Sequence, residues 1–83
     1  MNRYQLDIRV RLKDGILNPE AEAITKALSR LQFNGVEAVN LEKNFLVTLK
    51  AENESQALDL GRKMARDLLS NVVMENFDIA LKQ

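Results

Sequence analysis

Five apolar residues at every second position, Tyr4, Leu6, Ile8, Val10 and Leu12, alternate with Gln5, Asp7, Arg9 and Arg11. That period places the apolar set on one face of a strand and the polar set on the other. The strand then meets a tightly specified corner, Leu12-Lys13-Asp14-Gly15-Ile16-Leu17-Asn18-Pro19-Glu20-Ala21-Glu22. Gly15 can supply the positive φ of a sharp exit. Asn18 can cap a helix, and Pro19 suits the first helical turn, where a missing N–H costs nothing. Glu20 and Glu22 fall where the helix dipole favours negative charge. A strand with one buried face must therefore hand over directly to a helix.

The pattern continues at helical spacing through Ala21, Ile24, Ala27, Leu28 and Leu31, with Glu22, Lys26, Ser29 and Arg30 on the opposite side. The helix should stop near Gln32, because Asn34-Gly35 is a turn signal. Val36 to Leu41 reads as a second strand, and Phe45, Val47 and Leu49 define a third. The short gap from Glu42 to Asn44 makes those two an antiparallel hairpin. Asn53 with Gln56 resembles a capping box that opens a second helix running to about Ser70, with Asn71 as a left-handed stop. Phe77, Ile79 and Leu81 alternate with Asp78, Ala80 and Lys82 as a fourth strand that can begin near Val73. The order is βαββαβ. The expected fold is α+β, a two-layer sandwich of ferredoxin-like or closely related type, with an antiparallel sheet and two helices on one face. Gln5, Asp7, Arg9, Arg11, Asn40, Glu42, Thr48, Lys50, Asp78 and Lys82 would form its polar outer face, either solvated or covered by another subunit.

At 83 residues the chain has room for one domain, residues 1–83, with a modest core that is expected to lean on a partner subunit. Its 12 basic and 12 acidic residues cancel, and no run of like charge suggests a nucleic-acid or membrane-surface partner. Cysteine and histidine are both absent. Disulfides, thiol nucleophiles, sulfur-ligated metals, the usual transition-metal ligand and the commonest neutral-pH base are thereby removed. The first residues read as a strand, with no apolar signal core and no membrane-length apolar run, so a cytoplasmic location is expected.

The remaining candidates are weak as chemistry. Glu20 with Glu22 and Glu52 with Glu54 sit at helix starts, where the dipole accounts for acids without catalysis. Gly15, Gly35 and Gly61 form no phosphate-cradling loop. Phe33, Phe45 and Phe77 fall on positions read as buried and are not interleaved with bases as stacking platforms would be. Met64 and Met74 read as core fillers. The second helix carries a broad apolar arc, Ala57, Leu58, Leu60, Gly61, Met64, Ala65, Leu68 and Leu69, whose excess edge meets either another subunit or the first helix. Gly61 lies near the middle of that arc, where close helix approach would compensate its helix cost of about 1 kcal/mol. Lys13 and Asp14 at the corner and Lys43 in the expected hairpin turn are exposed charges that need no function.

The corner resembles the Leu-Lys-x-Gly-x-Leu-(Asp/Asn)-Pro-x-(Gly/Ala)-Glu pattern of the PurS family, small subunits of phosphoribosylformylglycinamidine (FGAM) synthase. The likeness continues through Ala27-Leu28, Leu31-x-Phe33, Val36-Glu37-x-Val39, Lys43, Leu49, Leu68-Leu69-x-Asn71 and Val73-x-Glu75-x-Phe77. Gln32 and Glu42 stand where the family usually has glycine, Val72 where it often has proline, and Asp14 where proline is frequent. The resemblance implies a PurS-type fold and a non-catalytic subunit of an ATP- and glutamine-dependent ligase of purine synthesis. Its implied partners are a glutaminase subunit and a large synthetase subunit, which it bridges in support of ammonia transfer, together with a second copy of itself as a homodimer or higher oligomer. No cofactor is then bound by this chain; ATP and Mg belong to the large subunit. Lys13, Asp14 and Lys43 become candidate partner contacts, with Gly15, Asn18 and Pro19 as the structural corner. The strand and turn through Leu17 also resemble the start of amino-acid-sensing ACT domains, a regulatory alternative from which Asn18-Pro19 departs by delaying the helix.

Overall fold

The alternation at the start of the chain becomes the central strand of the sheet. A computed structural model describes residues 1–82 and contains β1 (Asn2–Leu12), α1 (Pro19–Arg30), β2 (Lys43–Ala51), α2 (Glu54–Met64) and β3 (Glu75–Leu81). A π-helical turn over Ala65–Leu69 continues α2. The sheet order is β2-β1-β3, antiparallel throughout. Ile8 lies opposite Phe45 on one side and Ile79 on the other, so the apolar faces of all three strands coincide. Leu6, Ile8 and Val10 are completely buried there, with Ala51, Ala57 and Ala65 around them.

α2 covers that face because its contacting residues are small. Ala57, Gly61 and Ala65 recur every fourth position and are all buried, which brings the helix backbone down onto the sheet. A Cβ on Gly61 would overlap Ile79 Cδ1 and come within 2.6 Å of Leu6 Cδ1. Close approach is therefore the reason for glycine, as its place in the arc suggests. The helix opens with Asn53 Oδ1 accepting the Gln56 N–H at 2.8 Å, while Gln56 Oε1 accepts the Glu52 N–H at 2.6 Å. This is a reciprocal cap shifted by one residue from the standard box, in which the return bond reaches the capping residue itself.

The opposite face of the sheet is polar. Gln5 pairs with Thr48, Arg9 lies opposite Asp78, and Arg11 reaches Asp78 at 2.6 Å. Asn40 and Glu42, expected on this face, lie outside the sheet. Leu46 stands on it opposite Asp7, half exposed.

Several local expectations change. Val36 to Leu41 forms no strand and no hairpin with β2. Lys43 and Asn44, the residues needed for a reversal, are already paired with Val10 and Arg9 in the long β1 ladder, which leaves nothing to make the turn. Asn71 takes no positive φ; the one non-glycine residue that does, among the described residues, is Gln32 at +71°. Gln32 closes α1 in a Schellman motif, with Phe33 N–H on Leu28 C=O and Gln32 N–H on Ser29 C=O, both at 3.0 Å. Phe33 is exposed and Met74 is partly so; neither is core. Leu68 leaves the apolar arc because the π turn, closed by Ser70 N–H on Ala65 C=O at 2.9 Å, rotates it outward to 83 % exposure.

α2 packs on all three strands, whereas α1 has no extended contact with the sheet or with α2. The apolar arc of α2 is therefore not covered by α1. The molecule measures 53 × 27 × 14 Å, with a radius of gyration of 16.5 Å; a closed domain of this length has about 12 Å. α1 and the segment after it form an arm beyond the end of the sheet.

Candidate functional site

At the end of the sheet from which the arm departs, the corner is joined to the turn that precedes β3 through the Lys13 backbone. Gly15 has φ +83°, a value that favours glycine. Asn18 Oδ1 accepts the N–H groups of Glu20 and Ala21 at 2.9 and 3.2 Å, and Pro19 opens the helix. These bonds fix the direction in which α1 leaves the sheet. Lys13 N–H donates to Met74 C=O at 2.9 Å, and Lys13 C=O accepts from Ile16 N–H at 3.2 Å. The Lys13 backbone is thus tied down while Asp14 is exposed.

Lys43 approaches the same turn from the other edge. Its Nζ lies 3.9 Å from Glu75 Oε2, and Glu75 Oε1 accepts the Asn71 N–H at 2.8 Å. The Glu75 side chain is nearly buried and the Lys43 side chain is mostly exposed, so the carboxylate orders the turn and the ammonium faces outward. Asn71 organises the remainder. Its side chain accepts from Val73 N–H at 3.0 Å, and its carbonyl accepts from Met74 and Glu75 at 3.0 and 2.7 Å. The structure therefore places Lys13, Asp14 and Lys43 around one end of the sheet.

The same end presents apolar residues that the sequence pattern assigns elsewhere. Leu68 and Val73 are 83 % and 78 % exposed, and Val72 and Met74 are exposed as well. Leu68 lies within a helical apolar period, and only the π turn displaces it. The Val72-Val73-Met74 run resembles the beginning of a strand, but β3 starts at Glu75. The one signal in the sequence is the polar pair Ser70-Asn71, which can bend the backbone through side-chain bonds to its own peptide groups.

Between the corner, the start of α1 and residues 37–42 lies an open groove of about 610 Å³, lined by Lys13, Asp14, Ala21, Thr25, Val39 and Leu41 among others. Charges of both signs border it without converging. Among the described residues, no three His, Cys, Asp or Glu side chains are close enough to hold a metal ion, and no helix is long and apolar enough to cross a membrane.

The arm is also apolar on its exterior. Leu17, Leu31 and Phe33 are each more than half exposed. The total accessible surface is 6331 Å², against about 5,000 Å² for a closed monomer of this mass. The excess, about 1,300 Å², exceeds the area of about 800 Å² that one partner contributes to a standard protein interface.

The fold defines a small α+β domain, an antiparallel three-stranded sheet with one helix packed on it and apolar side chains exposed at its end and on its arm. A family model described as PurS, phosphoribosylformylglycinamidine (FGAM) synthase, matches residues 5–83. The chain belongs to the PurS family. It is 32 % identical to the PurS subunit of Methanocaldococcus jannaschii over 80 residues, covering 96 % of each protein, and the crystal structure of that protein superposes with a TM-score of 0.85. Thermus thermophilus PurS shares 36 % identity at a TM-score of 0.80, covering 99 % of this chain and 98 % of that one. The Bacillus subtilis PurS subunit is 32 % identical over 75 residues, covering 89 % of this chain and 87 % of its own. Nothing in these matches supports the ACT-domain alternative.

Proposed function

We propose that this chain is the small, non-catalytic subunit of FGAM synthase, the ATP- and glutamine-dependent ligase that converts formylglycinamide ribonucleotide to the amidine in purine synthesis. Residues 1–83 act as a single assembly domain that bridges the glutaminase and synthetase subunits and keeps them in register for ammonia transfer. ATP and Mg are bound by the large subunit. The observation that carries this reading is the full-length likeness to M. jannaschii PurS, described as one of the subunits of formylglycinamide ribonucleotide amidotransferase in the purine biosynthetic pathway. The absence of histidine and cysteine from the sequence agrees with it.

The working unit is a homodimer or higher oligomer. The support is the opened arm with its exposed Leu17, Leu31 and Phe33, the surface excess, and a β2 edge left without the strand that Val36 to Leu41 would have supplied. Free strand edges are normally covered. Lys13, Asp14 and Lys43, with Leu68 and Val73 beside them, are the proposed contacts to the other subunits, held in place by Gly15, Asn18 and Pro19. Sedimentation of the protein alone and mixed with the two larger subunits tests this reading. A multimer that co-sediments with both is expected, and a monomer that joins neither would refute it.

A further inference from the structure

We infer that Asn34 is a self-modifying site, converting through a cyclic imide to aspartate and isoaspartate in the folded protein. The step requires a side-chain amide free to swing onto the next peptide nitrogen, and that nitrogen must be unhindered. Both conditions hold at Asn34-Gly35. The pair occupies the centre of a turn closed by Val36 N–H on Phe33 C=O at 3.3 Å, and both residues are exposed. A Cβ placed on Gly35 would have no neighbour within 4 Å, so there is space for the ring and for water. The Asn34 side chain makes no hydrogen bond among the described residues.

The other asparagines serve as internal controls. Asn18, Asn53 and Asn71 each have Oδ1 bonded to backbone N–H groups. Asn18 also precedes Pro19, whose nitrogen carries no hydrogen to lose. Asn40, Asn44 and Asn76 precede Leu41, Phe45 and Phe77, and Asn2 precedes Arg3, so a Cβ crowds each attacking nitrogen. Only Asn34 is followed by glycine.

In the reaction, the Gly35 nitrogen loses its proton to solvent base and attacks Asn34 Cγ. The new bond from nitrogen to Cγ closes a five-membered ring, and the Cγ–Nδ2 bond breaks as Nδ2 takes a proton from the solvent and leaves as ammonia. Water then adds to one of the two ring carbonyls. Opening at one yields an ordinary aspartate at this position; opening at the other yields isoaspartate, with an extra methylene in the main chain. Either product adds one negative charge to a protein whose formal charge is zero, on the arm between Phe33 and Gly35.

The test is peptide mapping by mass spectrometry of the full-length native protein held in warm, mildly alkaline buffer, with the Gly35→Ala variant and a free peptide of residues 31–38 in parallel. The expected result is conversion of Asn34 ahead of every other asparagine, as a mixture of both isomers, slowed several-fold or more in Gly35→Ala. The inference is overturned if Asn34 stays intact in the native protein while the free peptide converts. It is equally overturned if another asparagine converts first, or if Gly35→Ala reacts as fast as the parent.

Discussion

Replacing Gly61 with alanine inserts one methyl group where α2 crosses β1 and β3, and two opposing effects decide the outcome. Alanine in a helix interior is favoured over glycine by about 1 kcal/mol. The added methyl, however, overlaps Ile79 Cδ1 and lies 2.6 Å from Leu6 Cδ1. Leu6 is fully buried and enclosed by the core, while Ile79 is only partly buried and can yield. Overpacking of this kind costs roughly 1–3 kcal/mol. Taking about 2 kcal/mol from that range, Gly61→Ala should lower stability by about 1 kcal/mol net. Ile79→Val removes the overlapping Cδ1 and should itself cost about 1 kcal/mol. Relative to Ile79→Val alone, adding Gly61→Ala should cost clearly less than it costs the parent, since the overlap with Ile79 Cδ1 is gone while the 2.6 Å contact with Leu6 Cδ1 remains. The assay is denaturant unfolding of all four proteins at one fixed concentration, because self-association makes apparent stability depend on it. Additive single effects, or a Gly61→Ala protein more stable than the parent, would refute close approach as the reason for this glycine.

Three further outcomes follow from the corner end and the arm. Asn18→Ala removes a cap worth about 1 kcal/mol; because α1 stands off the sheet, the loss should appear as faster amide exchange in α1 with little change in β1. Gln32→Gly should slow exchange in the last turn of α1 by relieving a left-handed non-glycine residue, a gain of about 0.5–1 kcal/mol after glycine's own entropy cost. Lys13→Ala and Asp14→Ala should leave unfolding nearly unchanged, since Asp14 is exposed, Lys13 is only half-buried and neither forms an ion pair among the described residues, yet weaken binding to the larger subunits when the small subunit is limiting. Full assembly in both variants would move the contact surface away from the corner.

The elements legible in the sequence are those whose instructions are local. β1 is readable because five alternating apolar residues admit one face. The entry to α1 is readable because Gly15, Asn18 and Pro19 act within a few residues of one another, and the backbone φ and cap bonds agree. Val36 to Leu41 misleads because it has a strand pattern but no sheet position within one subunit; β1 has already captured Lys43 and Asn44. Leu68 misleads because a π turn interrupts helical phase without leaving a mark on composition. Lys13, Asp14 and Lys43 can be nominated one by one, but the meeting of the Lys13 backbone and the Lys43 side chain at the turn around Asn71 depends on sheet register. The apolar end surface of Leu68 and Val73 becomes visible only once that register is known.

What this subunit adds to the assembled ligase is measured most directly as amidine formation by the glutaminase and synthetase subunits, with and without it, using glutamine in one series and free ammonia in the other. A bridging subunit without chemistry of its own predicts that its omission abolishes most glutamine-dependent turnover and leaves the ammonia-dependent rate largely intact. Equal glutamine-dependent rates in its presence and absence would contradict the bridging role.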